Sequence, residues 1–348
     1  MDIFKPDKKL FKKNYNSGKP QLLHTILSAD LNTPVSILLK LKNEKYSFLF
    51  ESVEKGSNKG RYSVIGIKPD LIWKCENQKC QIYQVNNNNK KKIILENKRK
   101  PIESLKNLFK KNKFKIPENL PPMSSGLFGY LGYDMIKYFE NINLENTNEL
   151  NLPESIFIRP TIMIIFDNVS DKLFIINTVW PNLKGYNEAF QNSLNEVEKI
   201  LKLISKPLNL PSNKHQKLDY SNELLLQKVS SNTSYKQFKK MITKAKKYIF
   251  SGDIFQVVLS RCFKKKITTS SISIYRALRY LNPSPYLFFM NFDNFSIVGS
   301  SPEILVKLEN DIVTIRPIAG TRKRGKNLKD IQMNYSFKRF LLTQAISS

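Results

Sequence analysis

The sequence predicts an α+β fold of antiparallel sheets with peripheral helices, and three observations carry that prediction. The first half alternates short apolar runs with turn residues, as antiparallel strands do. The second half opens on a strongly patterned helix and runs into an antiparallel meander instead of alternating βαβ units. Between them "SKPLNLPSNKHQKLDYSNE" is polar, contains prolines and has no clear period, which marks a linker. A chain of 348 residues is long enough for two domains. The expected division is 1–205, a linker at 206–230 and a second domain at 231–330.

In the first half, "TPVSILLKL" and "KYSFLFESV" flank Lys42-Asn43-Glu44 and predict a hairpin, and "RYSVIGI" and "DLIWKCEN" continue the strand pattern. Leu105, Leu108 and Phe109 recur at helical spacing, predicting a helix over 102–111. Gly126, Gly129 and Gly132 stand three apart in "SGLFGYLGYD", and no Gly-Lys-Ser/Thr follows. Close backbone packing is therefore expected there, not a phosphate loop. "IFIRPTIMIIFDNVSDKLFIINTVW" predicts a second hairpin turning through Asp167–Asp171, with an amphipathic helix over 188–204 after it.

The second half begins with the clearest helix. Ser234 caps its start, Phe238, Ile242, Ala245 and Ile249 form its stripe, and Gly252 ends it. "DIFQVVLSRCF" then alternates as a strand, with Gln256 on the face opposite Phe255, Val257 and Leu259. A primary amide among apolar neighbours either bonds a neighbouring strand end or lines a cavity. A short helix is predicted near 273–280, and then two hairpins, "YLFFMNF" with "FSIVGSS" and "EILVKLE" with "IVTIRPI".

Composition excludes several functions. The chain carries 57 Lys+Arg against 29 Asp+Glu, a formal charge of +28. The cations fall in short lysine runs among asparagines, as in "VNNNNKKK", which reads as solvated faces and not as a nucleic-acid surface. Cys75, Cys80 and Cys262 make no disulfide framework and are expected to be reduced structural thiols. His24 and His215 are the only histidines, and neither has a ligand-type neighbour in sequence. No apolar run has the length of a membrane span, so a cytoplasmic protein without membrane contact is expected.

The candidate anion site is "IRPIAGTRKRG". Gly320 at a strand end lets backbone N–H groups approach a ligand, and Thr321 adds a hydroxyl donor. Arg322, Lys323, Arg324 and Lys326 raise the local potential.

With "FLFESVEKGSNKGRYSVIG", "SGLFGYLGYD", "SGDIFQVVLSR", "NPSPYLFFM" and "VGSSPEILVKLEN", this motif makes the chain resemble the component I family of anthranilate synthases, from about Asp30 to Asp330. The resemblance implies a two-domain antiparallel β-sandwich with peripheral helices. It also implies chorismate as substrate, Mg2+ as cofactor, and a partner glutamine amidotransferase, component II, that delivers ammonia. It places Gln256 and Thr321 in the catalytic site and Gly320 with Thr321 at chorismate. Sister enzymes carry a lysine where Gln256 or Ala319 stands here, which favours anthranilate over isochorismate or aminodeoxychorismate as product.

The resemblance further implies feedback inhibition by L-tryptophan, bound by Glu51 and Ser52 together with Asn282, Pro283, Pro285, Tyr286 and Leu287. Residues 331–348, "IQMNYSFKRFLLTQAISS", do not resemble the family's continuation, which holds its magnesium ligands and catalytic histidine. A truncated or frame-shifted C-terminal part is therefore expected, leaving either an inactive fragment or a non-catalytic binding remnant. On that expectation the isolated chain forms no anthranilate from chorismate, ammonia and magnesium. Anthranilate fluorescence above a protein-free blank would refute it.

Overall fold

The computed structural model describes residues 3–52, 60–85, 91–95, 100–144, 148–181, 185–208, 229–309, 311–315 and 342–345. In chain order the first half contains α1 (Lys8–Asn16), β1 (Gln21–Ser28), α2 (Pro34–Lys40), β2 (Ser47–Glu51), β3 (Tyr62–Glu76), β4 (Lys79–Val85), β5 (Lys91–Leu95), α3 (Pro101–Asn112), β6 (Phe128–Leu131), β7 (Ser155–Asp167), β8 (Lys172–Val179) and α4 (Tyr186–Ser205). The second half contains β9 (Val229–Ser231), α5 (Tyr235–Ser251), β10 (Phe263–Lys265), α6 (Ser271–Leu281), β11 (Tyr286–Asn291), β12 (Ser296–Ser301), β13 (Lys307–Glu309), β14 (Ile312–Ile315) and, after residues outside the description, β15 (Leu342–Ala345).

A ten-stranded sheet runs β1-β8-β7-β3-β2-β11-β12, with β4, β5 and β6 branching from it. Its pairings are antiparallel, as the α+β reading requires. β3 and β7 form its spine, and their register shifts between Pro69 and Leu71, where Pro69 faces Pro160. On one side of the shift β2 lies beside β3 and β8 beside β7. On the other side β4 and β6 take those places. Proline cannot donate to a ladder, so opposed prolines mark the point where each strand changes partner.

The spine is buried on both faces. Leu49, Ile65, Ile162, Ile164 and Phe166 face one cluster, with α2, α4 and α6 against it through Ile37, Leu38, Val197, Ile200 and Tyr275. Phe48, Val64, Met163 and Ile165 face the opposite cluster with Met290 and Phe292. This is period-2 alternation between two apolar environments, so the strands read as nearly continuous apolar runs. Beyond the shift, α3 covers Trp73, Cys75 and Cys80 with Leu105 and Leu108, and the Trp73 indole donates to Ser104 Oγ at 2.8 Å.

Several expectations hold. The β7–β8 hairpin turns at Asp167–Lys172, α3 and α4 occupy the predicted helical spans, and β11–β12 and β13–β14 are the predicted hairpins. The glycine segment is a packing device. A Cβ on Gly129 would lie 1.9 Å from the Ile156 carbonyl oxygen, and one on Gly132 would lie 2.8 Å from that of Glu154. α5 has the predicted ends, a capping box between Ser234 and Gln237 and a left-handed Gly252 at φ 84°.

Two expectations are corrected. "TPVSILLKL" is the helix α2, not a strand, because Thr33 and Ser36 form a reciprocal capping box with Pro34 in the first turn. Those local cap bonds outweigh the strand preference of its β-branched residues. "DIFQVVLSRCF" is not a strand over Asp253–Cys262. Pairing begins only at Phe263, against Ser231. Alternation is not enough without a neighbour to take the backbone bonds, and among the described residues no strand lies beside 253–262.

Contacts within the chain group its residues into two units. Residues 1–208 and 271–348 form one compact unit and 209–270 the other, since β11 joins the N-terminal sheet beside β2. Within the smaller unit, the apolar stripe of α5 contains no buried residue.

Cys75 and Cys80 are buried and directly opposite across β3 and β4, whereas Cys262 is exposed, and none of the three forms a disulfide. A hydrogen bond with Cys80, followed by burial, pushes the Cys75 thiol well above its usual range. Only thiolates react with disulfide reagents. Ellman's reagent is therefore expected to titrate one thiol rapidly in the native chain and three after guanidinium unfolding; fast reaction of more than one native thiol would contradict the burial of the pair.

Candidate functional site

β2 ends at Glu51, and the pairing register places Leu287 of β11 directly opposite it. The alternation that turns Leu49 toward the α2, α4 and α6 side turns Glu51 to the same side. There it meets α6. Tyr275, fully buried, donates its hydroxyl to Glu51 Oε2 at 2.5 Å. Arg279, one helical turn further on, donates Nε to Oε2 at 2.9 Å and Nη2 to Oε1 at 3.3 Å. Spacing of four residues puts the phenol and the guanidinium on one face of the helix.

The Glu51 side chain is 2% exposed and that of Arg279 41%. A buried carboxylate is costly without donors and a countercharge, and here it has both. Burial first, and then the charge of Glu51 and its hydrogen bond, hold the Tyr275 phenol far above the usual tyrosine range, so it remains a donor.

α6 leads straight into the predicted binding turn. Asn282 N–H donates to the Leu278 carbonyl at 2.8 Å, and the Asn282 carbonyl accepts from Ser300 Oγ at 2.6 Å. Pro283 and Pro285 flank Ser284, which is buried, and Tyr286 and Leu287 begin β11. Ser52 follows Glu51 and lies against Gly60, where an added Cβ would come 2.1 Å from its Oγ. The structure thus brings Glu51 opposite Leu287, the last residue of the predicted binding turn, although more than two hundred residues separate them in sequence.

The expected chorismate corner is described only in part. Gly320, Thr321 and the cations beside them lie outside the described residues. Gln256 is exposed, on the unpaired stretch that follows α5. Glu303 is also exposed, just past β12, with Ser301 Oγ donating to its carbonyl at 3.1 Å. Among the described residues no three His, Cys, Asp or Glu side chains converge as a metal site. His24 is buried, which holds it below its usual value, with Nδ1 2.9 Å from the Leu22 carbonyl oxygen. No helix of the described residues is long and apolar enough to cross a membrane.

Sequence reasoning did not single out Tyr275 and Arg279. The available signal was an arginine in register with the apolar stripe of Ile272 and Tyr275, one turn before the proline-rich turn.

A model of the chorismate binding enzymes matches residues 47–338. The chain belongs to this family. It is 38% identical over 318 residues to the anthranilate synthase component 1 of Cereibacter sphaeroides, covering 90% of this chain and 62% of that protein. The component 1 of Neisseria meningitidis serogroup C is 39% identical over 308 residues, covering 86% of this chain and 59% of that protein. The crystal structure of anthranilate synthase component I from Streptococcus pneumoniae TIGR4 superposes with a TM-score of 0.57 at 29% identity, covering 76% of this chain and 55% of that one. The chain therefore spans about three fifths of the length of the relatives it matches.

The family member described here holds its Glu51 carboxylate with two donors, and removing one exposes the cost of burial. Tyr275→Phe is expected to lose about 1–3 kcal/mol of stability. Urea denaturation of the variant and parent measures it. An unchanged midpoint would mean that Glu51 finds its donors elsewhere.

Proposed function

We propose that the chain is the chorismate-using large component of an anthranilate synthase. In that reaction ammonia adds to chorismate, the ring hydroxyl leaves as water and the enolpyruvyl side chain leaves as pyruvate, giving anthranilate. The observation that carries this reading is the match of one family model across residues 47–338, together with similarity to relatives that are named anthranilate synthase component 1.

Residue identities favour it over the sister chemistry. Neither position 256 nor 319 offers an amine, since they hold Gln256 and Ala319, so ammonia from outside is the available nucleophile. Thr321 and Gly320 would hold chorismate, and Gln256 would act beside it. A glutamine amidotransferase partner would supply the ammonia, and the work would take place in the cytoplasm. Magnesium belongs to the same reading, but no step is assigned to it, because the described residues offer no ligand cluster.

The regulatory part of the proposal is that L-tryptophan binds beside Glu51 and Ser52 against Asn282–Leu287. Its support is the pairing of Glu51 with Leu287, which sets a buried carboxylate, a group suited to an ammonium, at the strand end beside that segment.

A chimera tests the reading. Joined in frame to the remaining C-terminal residues of the Cereibacter relative, the chain is expected to convert chorismate, ammonium and magnesium into anthranilate and pyruvate in equal amounts, with inhibition by L-tryptophan. Aminodeoxychorismate formed without pyruvate would instead establish the sister activity, and turnover indifferent to L-tryptophan would remove the regulatory part.

A further inference from the structure

We propose that Cys75 and Cys80 are a thiol modification site, a cross-strand pair that closes reversibly to a disulfide by exchange with a low-molecular-weight disulfide such as oxidised glutathione. It lies beside the tip of the β3–β4 hairpin and involves none of the residues assigned to the proposed activity.

The turn sets the geometry. Asn77 and Gln78 alone join the two strands, and both have positive φ, 48° and 66°. Two such residues make the type I′ connection, whose twist matches that of the flanking strands. Glu76 and Lys79 close the turn as its hydrogen-bonded pair, and Cys75 faces Cys80 one step further out. Antiparallel pairs alternate, so the cysteines take a non-hydrogen-bonded position, where Cα atoms are about 4.5 Å apart. That is the short end of the range of about 4.4–6.8 Å that a disulfide spans. Both side chains enter the Trp73 cluster, and a hydrogen bond joins the two thiols.

Burial sets the rate. A cysteine that serves only as a small apolar side chain needs no thiol partner, yet here two thiols meet, with Cys75 Sγ also 3.5 Å from Glu154 Oε2 as its donor. Both cysteines are buried, whereas Asn77, Gln78 and Lys79 at the tip are exposed. Exchange needs a thiolate in contact with the reagent, so it waits on local opening of the tip. The pair therefore reacts slowly in the native chain, in keeping with a single rapidly titrating thiol at Cys262.

In the opened hairpin one cysteine thiolate attacks a sulfur of the reagent, breaks its S–S bond and releases one half as a thiol. The second cysteine attacks the protein sulfur of this mixed disulfide and expels the other half. Two protein S–H bonds and one reagent S–S bond are exchanged for one protein S–S bond and two reagent S–H bonds. The protein is oxidised by two electrons and the reagent is reduced by two. A disulfide sulfur has no proton to give, so Glu154 loses the Cys75 donor, but Tyr138 and Lys137 continue to hold it. The short span leaves the bond easily reduced. Closure and reopening thus both suit the same fold.

Alkylation and mass spectrometry decide it, on the 348-residue chain carrying Cys262→Ser to remove the exposed thiol. The native protein is equilibrated with oxidised or with excess reduced glutathione, quenched in acid, unfolded and alkylated. Two alkylated cysteines are expected after reduced glutathione and none after oxidised glutathione, with Cys75 and Cys80 joined in one cross-linked peptide. Return to reduced glutathione is expected to recover both thiols, with circular dichroism unchanged throughout. Four results overturn the site: both thiols still alkylated at equilibrium, glutathione adducts without the cross-link, a cross-link that reduced glutathione does not reopen, or a cross-link that forms only in guanidinium. The parent chain yields the same peptides, so the outcome does not depend on the folding of the variant.

Discussion

The pairing of β3 with β7 is the constraint on which the rest depends. The two strands are buried on both faces, and their side chains alternate between two separate apolar clusters. A slip of one residue would exchange every side chain between those clusters, so the register is strongly held. Everything lateral is referred to it. β2 takes its position from β3, with Glu51 opposite Ser63, and β11 takes its position from β2, with Leu287 opposite Glu51. The location of a charged group at the strand end is thus set by hydrophobic alternation several strands away.

The register shift at Pro69–Leu71 gives the spine a second use. Because the strands change partners there, one pair of long strands supports two separate packing problems. On one side the sheet is sandwiched by helices and by its own aromatic residues. On the other it carries the Trp73 cluster beneath α3, with a buried Glu154 that accepts from Tyr138 at 2.7 Å and pairs with Lys137. Those partners hold the Glu154 carboxyl below its usual range against the opposing effect of burial. The Glu51 site and the Glu154 cluster are alike in principle, each a carboxylate buried at the end of a strand and held by a phenol and a cation.

What the sequence showed and what it hid divide along physical lines. Elements whose signals are local were legible: the Asp167–Asp171 turn, the Ser234 cap, the Gly252 stop and the stripe of α4 all reside within a few residues of the structure they determine. Where two local signals conflict, pattern alone misleads: Val35 and Ile37 favour a strand, whereas Thr33 and Ser36 cap a helix. Non-local facts were not available from periodicity. The alternation around Gln256 could not show that no strand would lie beside it. Nor could it show that Arg279 and Tyr275 meet a carboxylate more than two hundred residues earlier. Glu51 and Leu287 are marked out by resemblance alone, and the pairing of β2 with β11 is the physical reason that these two adjoin.

That pairing also orders events in time. By the end of β8 at Val179 the chain has made eight of the ten strands of the large sheet, and β12 is finished only at Ser301, about 120 residues later. At common rates of synthesis this interval is on the order of ten seconds. Until β11 is made at Tyr286–Asn291, β2, with the sequence "SFLFE", is an open edge rich in aromatic residues. Such edges template association with other chains. The nascent protein is therefore exposed to aggregation between the completion of β8 and the arrival of β11, the strand that completes the Glu51 site.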